Sequence, residues 1–214
     1  MKSFAKFFIE IGRLRKIPRR GGILIGSKKP ASVTDHLFRV ALMAWLLAKE
    51  KKTGLNTKSI LRIALVHDLC ELYTGDLTPY DYDSLLPKDK KKWPQLFDKW
   101  PRIPKAEKGK IISQKHKDED RAFEKLLKDL PKNIRQEVKN GWLEYEKGSS
   151  REARFVKQIN RLETLLQALE YGREERIRVY DSWWVGSKER IDDPLLLKFM
   201  AGLSKEFALK KKKR

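Results

Sequence analysis

Apolar side chains recur three and four positions apart along most of this chain, and that spacing commits it to helices that each bury one face. Phe4, Phe7, Phe8, Ile11 and Leu14 form the first stripe, and the run Pro18-Arg-Arg-Gly-Gly22 breaks it. A loop follows to Pro30. Ser32 or Thr34 is placed to cap a second helix, from about Asp35 to Lys52, which closes near Gly54. A third helix spans about Thr57 to Tyr73, before Gly75, and Ile60–Cys70 within it reads as buried almost all round. The pattern returns over roughly Glu107–Asp129, Lys132–Lys147, Arg151–Tyr171 and Pro194–Leu209. Strand-like alternation is confined to a short extended piece at Gly22–Ile25. From about 78 to 106 the chain holds five prolines (Pro79, Pro87, Pro94, Pro101 and Pro104) among many lysines, which reads as a loop insertion. The expectation is an all-α chain with one domain and no internal repeat.

Charge narrows the choice of partners. Lys and Arg number 49 against 29 Asp and Glu, a formal net charge of +20 over 214 residues. Such an excess attracts anions: nucleic acid, nucleotides or an acidic surface. The alternative is a Lys-rich solvated surface of heat-adapted composition, with only four Asn and five Gln. Both readings stay open at this point. The block Lys210–Arg214 is a basic tail of like charges. The longest apolar runs, Ala41–Ala48 and Ile63–Val66, fall well short of the roughly 18 residues of a membrane span. Met1–Arg20 carries charges throughout and lacks an apolar signal core. One cysteine, Cys70, rules out an internal disulfide framework and fits a reducing compartment. Together these features indicate a cytoplasmic protein with no membrane partner.

Residues 60–70 carry the chemistry. Only Arg62, His67 and Asp68 interrupt an apolar run there. An imidazole and a carboxylate in such a setting must be paired or bound to a metal, because leaving them bare costs several kcal/mol. Glu71 stands four residues after His67, on the same side of a helix, and Asp76 follows Gly75. An earlier helix offers His36 beside Asp35. Residue chemistry alone leaves a structural role and a metal site equally open. His116 reads as a solvated surface residue, Arg62 as the partner of an internal carboxylate, and Cys70 as a small core residue.

Ser32-Val-Thr-Asp-His36, followed by Ala64-Leu-Val-His-Asp-Leu-Cys-Glu-Leu-Tyr-Thr-Gly-Asp76, resembles the HD-domain metal-dependent phosphohydrolases, and in particular their 5′-deoxynucleotidase branch. Pro18-Arg-Arg-Gly21, Trp142-Leu-Glu-Tyr-Glu146, Phe155-Val-Lys-Gln-Ile-Asn-Arg-Leu-Glu163, Gln167-Ala-Leu-Glu-Tyr171 and Tyr180-Asp-Ser182 follow in family order. The resemblance implies a single helical HD domain over residues 1–209, with the insertion at about 78–106 and the tail at 210–214. It implies a divalent cation (Co, Mn, Mg or Zn) held by His36, His67 and Asp68. The family's fourth ligand is an Asp, and Asn160 stands there, with Glu163 one turn on as a possible compensating acid. Glu71 would be the general acid/base, Asp76 would orient water or sugar, and Arg19 would bind phosphate. Where the family often has a base-stacking Trp, this chain has Gly22.

The activity so implied is removal of the 5′-phosphate from (deoxy)nucleoside monophosphates. Two alternatives are the same chemistry on another nucleotide or small phosphomonoester, and a weakened domain that binds nucleic acid through its charge. Relatives commonly form dimers, so a homodimer is expected, with the Trp-rich stretch Tyr180–Val185 as an interface. For Leu86–Lys105, with Lys88, Lys90, Lys91, Lys92, Trp93 and Trp100, a lid or nucleic-acid contact competes with a surface insertion packed back on the body.

Overall fold

The computed structural model describes residues 1–50, 54–78, 80–81, 86–99 and 105–207, and among these the chain forms helices and no strand. In order they are α1 (Lys2–Ile11), α2 (Arg20–Ile25), α3 (Val33–Glu50), α4 (Thr57–Val66), α5 (Glu71–Thr74), α6 (Trp93–Lys99), α7 (Lys105–Leu127), α8 (Lys132–Lys147), α9 (Arg151–Glu174), α10 (Asp181–Lys188) and α11 (Pro194–Glu206). Helix α9 is the axle. Ser150 caps its start by accepting from the Ala153 N–H, and α2, α3, α4, α8, α10 and α11 all pack on it. Burial of apolar groups from so many directions is what holds α9, because its own sequence has little one-sided pattern.

Val40, Ala41, Ala44 and Ala48 face Ile60, Ile63 and Ala64 of α4 and Ile159 and Leu162 of α9 in the largest core cluster. The alanines let the helix axes approach closely. A second cluster joins Leu14, Val33, Leu37, Val66 and Cys70 to Phe123, Leu127 and Trp142. His36 lies at the seam, since Val33 belongs to the second cluster and Val40 to the first.

The all-α architecture follows the sequence pattern, with four local departures. The segment Gly22–Ile25 is helical, because its backbone closes α2 onto Gly26, where φ is +91°. The expected helix over Thr57–Tyr73 stops at Val66. His67–Cys70 form turns, with Leu69 N–H donating to Val66 O and Glu71 N–H to Asp68 O, and α5 restarts at Glu71. That stretch is also not buried all round, since Leu65 is 52% exposed. The insertion is partly ordered. Helix α6 buries Phe97 against Tyr80, Tyr180 and Trp183, and Trp93 Nε1 donates to Pro87 O at 2.9 Å. In the stretch expected at an interface, Tyr180 and Ser182 are buried, Trp183 and Trp184 half-buried, and Asp181 and Val185 exposed. Trp100 and the tail 210–214 lie outside the described residues.

Candidate metal centre and active site

Helix α3 is started by a reciprocal pair. Ser32 N–H donates to Asp35 Oδ2 at 2.8 Å, while Asp35 N–H donates to Ser32 Oγ at 3.2 Å. Asp35 is thereby spent at the helix start, on the exposed side. The next residue, His36, points inward and is wholly buried. His67 is the first residue past α4, and its Nδ1 donates to Ala64 O at 2.8 Å. That carbonyl is among the last four of the helix, which have no intrahelical partner, so the ring takes the place of the next turn.

These contacts fix both tautomers. Ala64 O can only accept, so His67 Nδ1 carries the hydrogen and Nε2 presents a lone pair. His36 Nδ1 makes a short contact with Glu163 Oε2, which leaves Nε2 of the neutral ring as a lone pair too. Both Nε2 atoms are buried without a hydrogen-bond partner, and they lie 3.4 Å (His36) and 3.2 Å (His67) from Asp68 Oδ2. The three donor atoms fall within 4.8 Å of one another. Three electron pairs converging in a buried spot repel each other unless a cation lies between them, and two imidazoles with one carboxylate are a donor set for first-row divalent ions. Geometry and donor chemistry therefore fit a divalent metal.

Glu163 is buried and ionised. Burial pushes its pKa up, but His36 and then Arg39 and Arg19 outweigh that and hold it below the usual range. Its Oε1 accepts from Arg39 Nε at 2.9 Å, and Arg39 Nη1 reaches Glu170 at 2.6 Å. Burial and Arg19 oppose a charge on His36, yet Glu163 and Asp68 raise its pKa, so the cluster draws positive charge to this point.

Arg19 organises the other side. Its Nη1 lies 3.1 Å from Asp76 Oδ2, 3.6 Å from Asp68 Oδ2 and 3.9 Å from Glu71 Oε2. Its Nη2 reaches Thr164 Oγ1 at 3.4 Å. Asp76 also accepts from the Arg20 N–H at 2.8 Å, and Arg20 itself pairs with Asp81. Gly75 makes this possible. Its φ of 74° and ψ of 166° lie in a region essentially reserved for glycine, and they turn the chain back after α5 so that Asp76 meets Arg19. Glu71 is buried with Oε2 unpartnered. Burial first, then Asp68 and Asp76, push its pKa well above the usual carboxylate range, against the pull of Arg19 and Lys115.

A family model described as HD domain matches residues 11–194. This chain belongs to the HD-domain family. Among curated proteins it is 37% identical over 175 residues to 5′-deoxynucleotidase HDDC2 of Xenopus laevis, covering 82% of this chain and 72% of that one. It is 35% identical over 170 residues to 5′-deoxynucleotidase HDDC2 of Homo sapiens, covering 79% and 69%. The fold is also that of a solved Magnetospirillum magnetotacticum MS-1 protein described as a predicted metal-dependent phosphohydrolase. That likeness has TM-score 0.67 at 23% identity, over 97% of this chain and 92% of that one.

Within this HD domain, His36, His67, Asp68, Glu71, Asp76 and Arg19 lie in one cluster. Asn160 sits on α9 one turn before Glu163, and its Nδ2 donates to the Tyr145 hydroxyl at 2.6 Å. The Tyr145 ring in turn packs on His67 with centroids 4.8 Å apart. Gly22 is closed to any larger residue, since a Cβ there would lie 2.9 Å from Pro30 Cβ and 3.1 Å from the Tyr171 ring. Arg62 pairs at 2.7 Å with Glu144, a half-buried rather than internal carboxylate, and Cys70 is buried and free as the sequence suggests. His116 is half-covered rather than solvated, stacked at 8° on the buried Trp142. Sequence reasoning passed over Arg39 and gave Tyr145, part of a quoted block, no role of its own. Arg39, one turn beyond His36 on a mostly apolar helix, was the available signal.

Proposed function

We propose that this protein is a divalent-metal-dependent phosphohydrolase that removes the 5′-phosphate from deoxynucleoside monophosphates. The observation that carries the reading is the pair of Nε2 lone pairs without hydrogen-bond partners converging on Asp68 Oδ2, with Arg19 and the buried Glu71 beside them. The names of the HD-domain relatives support the substrate class.

His36, His67 and Asp68 would hold the cation, with the side-chain oxygen of Asn160 on α9 as a fourth, neutral ligand. The bound ion supplies Lewis acidity, making water a nucleophile near neutral pH. Borderline ions such as Co or Zn suit two imidazole nitrogens better than the harder Mg or Mn.

Hydrolysis adds water to phosphorus and breaks the P–O5′ bond, so the leaving oxygen must take up a proton. Glu71, kept protonated by burial and its acidic neighbours, is suited to give it. Arg19 offers paired N–H donors to phosphate oxygens. Asp76 holds Arg19 in place and would orient water or sugar. With Gly22 walled in by Pro30 and Tyr171, that position contributes no stacking surface to base recognition. We place the protein in the cytoplasm on the strength of its lone buried thiol.

The test is phosphate release from a panel of deoxynucleoside monophosphates with Co²⁺, Mn²⁺, Mg²⁺ or Zn²⁺. Turnover is expected with at least one ion, and its loss is expected in His67→Ala and Glu71→Ala. Absence of turnover with every ion, joined to salt-sensitive retention of polynucleotides, would instead favour nucleic-acid binding through the +20 charge.

A further inference from the structure

Two arginines beside the metal centre are left without a counter-charge. Arg161 follows Asn160 on α9 and stands one turn before Thr164, whose Oγ1 accepts from Arg19. Arg190 lies in the turn that follows α10, and that turn is pinned to α9. Gln158 Nε2 donates to Asp192 Oδ1 at 2.7 Å, and Gln158 Oε1 accepts from the Asp192 and Asp193 N–H groups at 3.0 Å each. Gln158 is one turn before Arg161, so the clamp brings Arg190 to the same face of α9. Both arginines are exposed, and among the described residues neither guanidinium forms a hydrogen bond or an ion pair. Desolvation first, then Arg190, bring the Arg161 pKa down to about 10. A side chain both open to water and desolvated stands in a cleft. Arg19 and Arg39, held by carboxylates, shift the other way.

Arg190 acts on Arg161 more strongly than Arg19 or Asp68 does, so the pair lies outward from the catalytic cluster while staying within its field. Tyr80 borders the same place, since Arg190 and Arg161 pull its pKa down against the larger, raising effect of burial. Cations gathered in a cleft repel one another unless an anion joins them. We propose that Arg161 and Arg190 form a second phosphate subsite, which takes a 3′-phosphate and makes a deoxynucleoside 3′,5′-bisphosphate a preferred substrate. The choice of ligand rests on the 5′-phosphatase reading above. With the 5′-phosphate at the metal and Arg19, the sugar hydroxyl of a deoxynucleotide still able to carry phosphate is O3′. A phosphate monoester there is a dianion, matched by two guanidinium forks. Water adds to the 5′-phosphorus, the P–O5′ bond breaks, O5′ leaves with a proton, and a nucleoside 3′-phosphate is released with inorganic phosphate.

Calorimetric titration of the Co²⁺-loaded Glu71→Gln protein, which keeps the arginines and lacks the proton donor, compares deoxyadenosine 3′,5′-bisphosphate with deoxyadenosine 5′-monophosphate. The bisphosphate is expected to bind about tenfold tighter or more. Adding Arg161→Gln or Arg190→Gln should bring that ratio near one. Lys198→Gln removes the same charge from an exposed site on α11 and should leave the ratio as it is. A 5′-phosphorylated dinucleotide presents a singly charged diester at O3′ and should gain less than the bisphosphate. Phosphate release by the parent protein separates the subsite from the reading it rests on. An arginine-dependent ratio without turnover keeps the subsite and removes the hydrolase, whereas turnover with equal binding of the two nucleotides overturns the subsite. A dinucleotide tighter than the bisphosphate, or a ratio lowered as far by Lys198→Gln as by Arg161→Gln, overturns it too.

Discussion

Replacing Glu163 by Gln keeps the shape of the side chain and removes its charge, at a point where the structure leaves no neutral solution. Glu163 accepts on both oxygens, from His36 Nδ1 on one and from Arg39 at 2.8 and 2.9 Å on the other. An amide has one acceptor and one donor end. If its oxygen faces Arg39, the NH₂ forces His36 to accept at Nδ1, which moves the ring hydrogen to Nε2 and blocks the lone pair aimed at Asp68. If its oxygen faces His36, two donors confront each other at Arg39. Either choice forfeits a charge-assisted bond inside the core, about 1.5–3 kcal/mol, and loosens a metal-orienting contact of the kind that costs about 10–100-fold in metal affinity. Competition with a chelating dye measures the second quantity, and urea unfolding of the metal-free protein measures the first. Because the Glu163 pKa is depressed in the fold, its contribution is fully present above the ordinary 4.5 of a glutamate and fades as pH falls through the lowered value. The stability gap between parent and Glu163→Gln should therefore close in acid. A variant with parental metal affinity and parental stability at pH 7 would refute the reasoning.

Three more substitutions address separate parts of the structure. Gly75→Ala meets no atom within 4 Å, so its cost is backbone strain alone, about 1–3 kcal/mol; melting should show that loss, and turnover should fall further as Asp76 shifts from Arg19. Asn160→Asp keeps its contact with Tyr145, whose hydroxyl can donate in place of accepting, and adds a negative charge near the imidazoles. Metal binding should tighten on the order of tenfold by dye competition, and equal affinity would make the carboxamide functionally silent. Phe97→Ala removes a buried ring from the packing of α6 on Tyr80, Tyr180 and Trp183 and should cost about 3–5 kcal/mol in denaturant unfolding. A loss under 1 kcal/mol would mean that the insertion is not part of the core.

The long helices were legible because their apolar spacing and end signals agree. Lys132–Lys147 closes at Gly148, which has positive φ, and Pro194 follows the capping Asp193. Short elements were not. Four residues of α2 look like an extended piece because a single turn leaves too little sequence to show a period of 3.6. The break after Val66 is invisible to periodicity, since it comes from the His67 ring capturing the Ala64 carbonyl. The Pro- and Lys-rich insertion hid α6 because one side chain, Phe97, does most of its packing. At the site, motif order supplied the residues but not their connections. Only coordinates show Asp35 turned to Ser32, Glu163 turned to His36, and three acids gathered on Arg19.

If Arg19 binds phosphate and Asp68 a cation as proposed, that gathering on Arg19 couples the two binding events. While Asp68, Glu71 and Asp76 surround one guanidinium, an arriving phosphate must compete with three carboxylates for it. A cation bound at Asp68 takes up one competitor's charge and so raises the affinity of Arg19 for phosphate. Thermodynamic linkage then requires the phosphomonoester to tighten cation binding by the same factor. The two ligands should therefore enter as cooperative partners, each scarce in the site without the other.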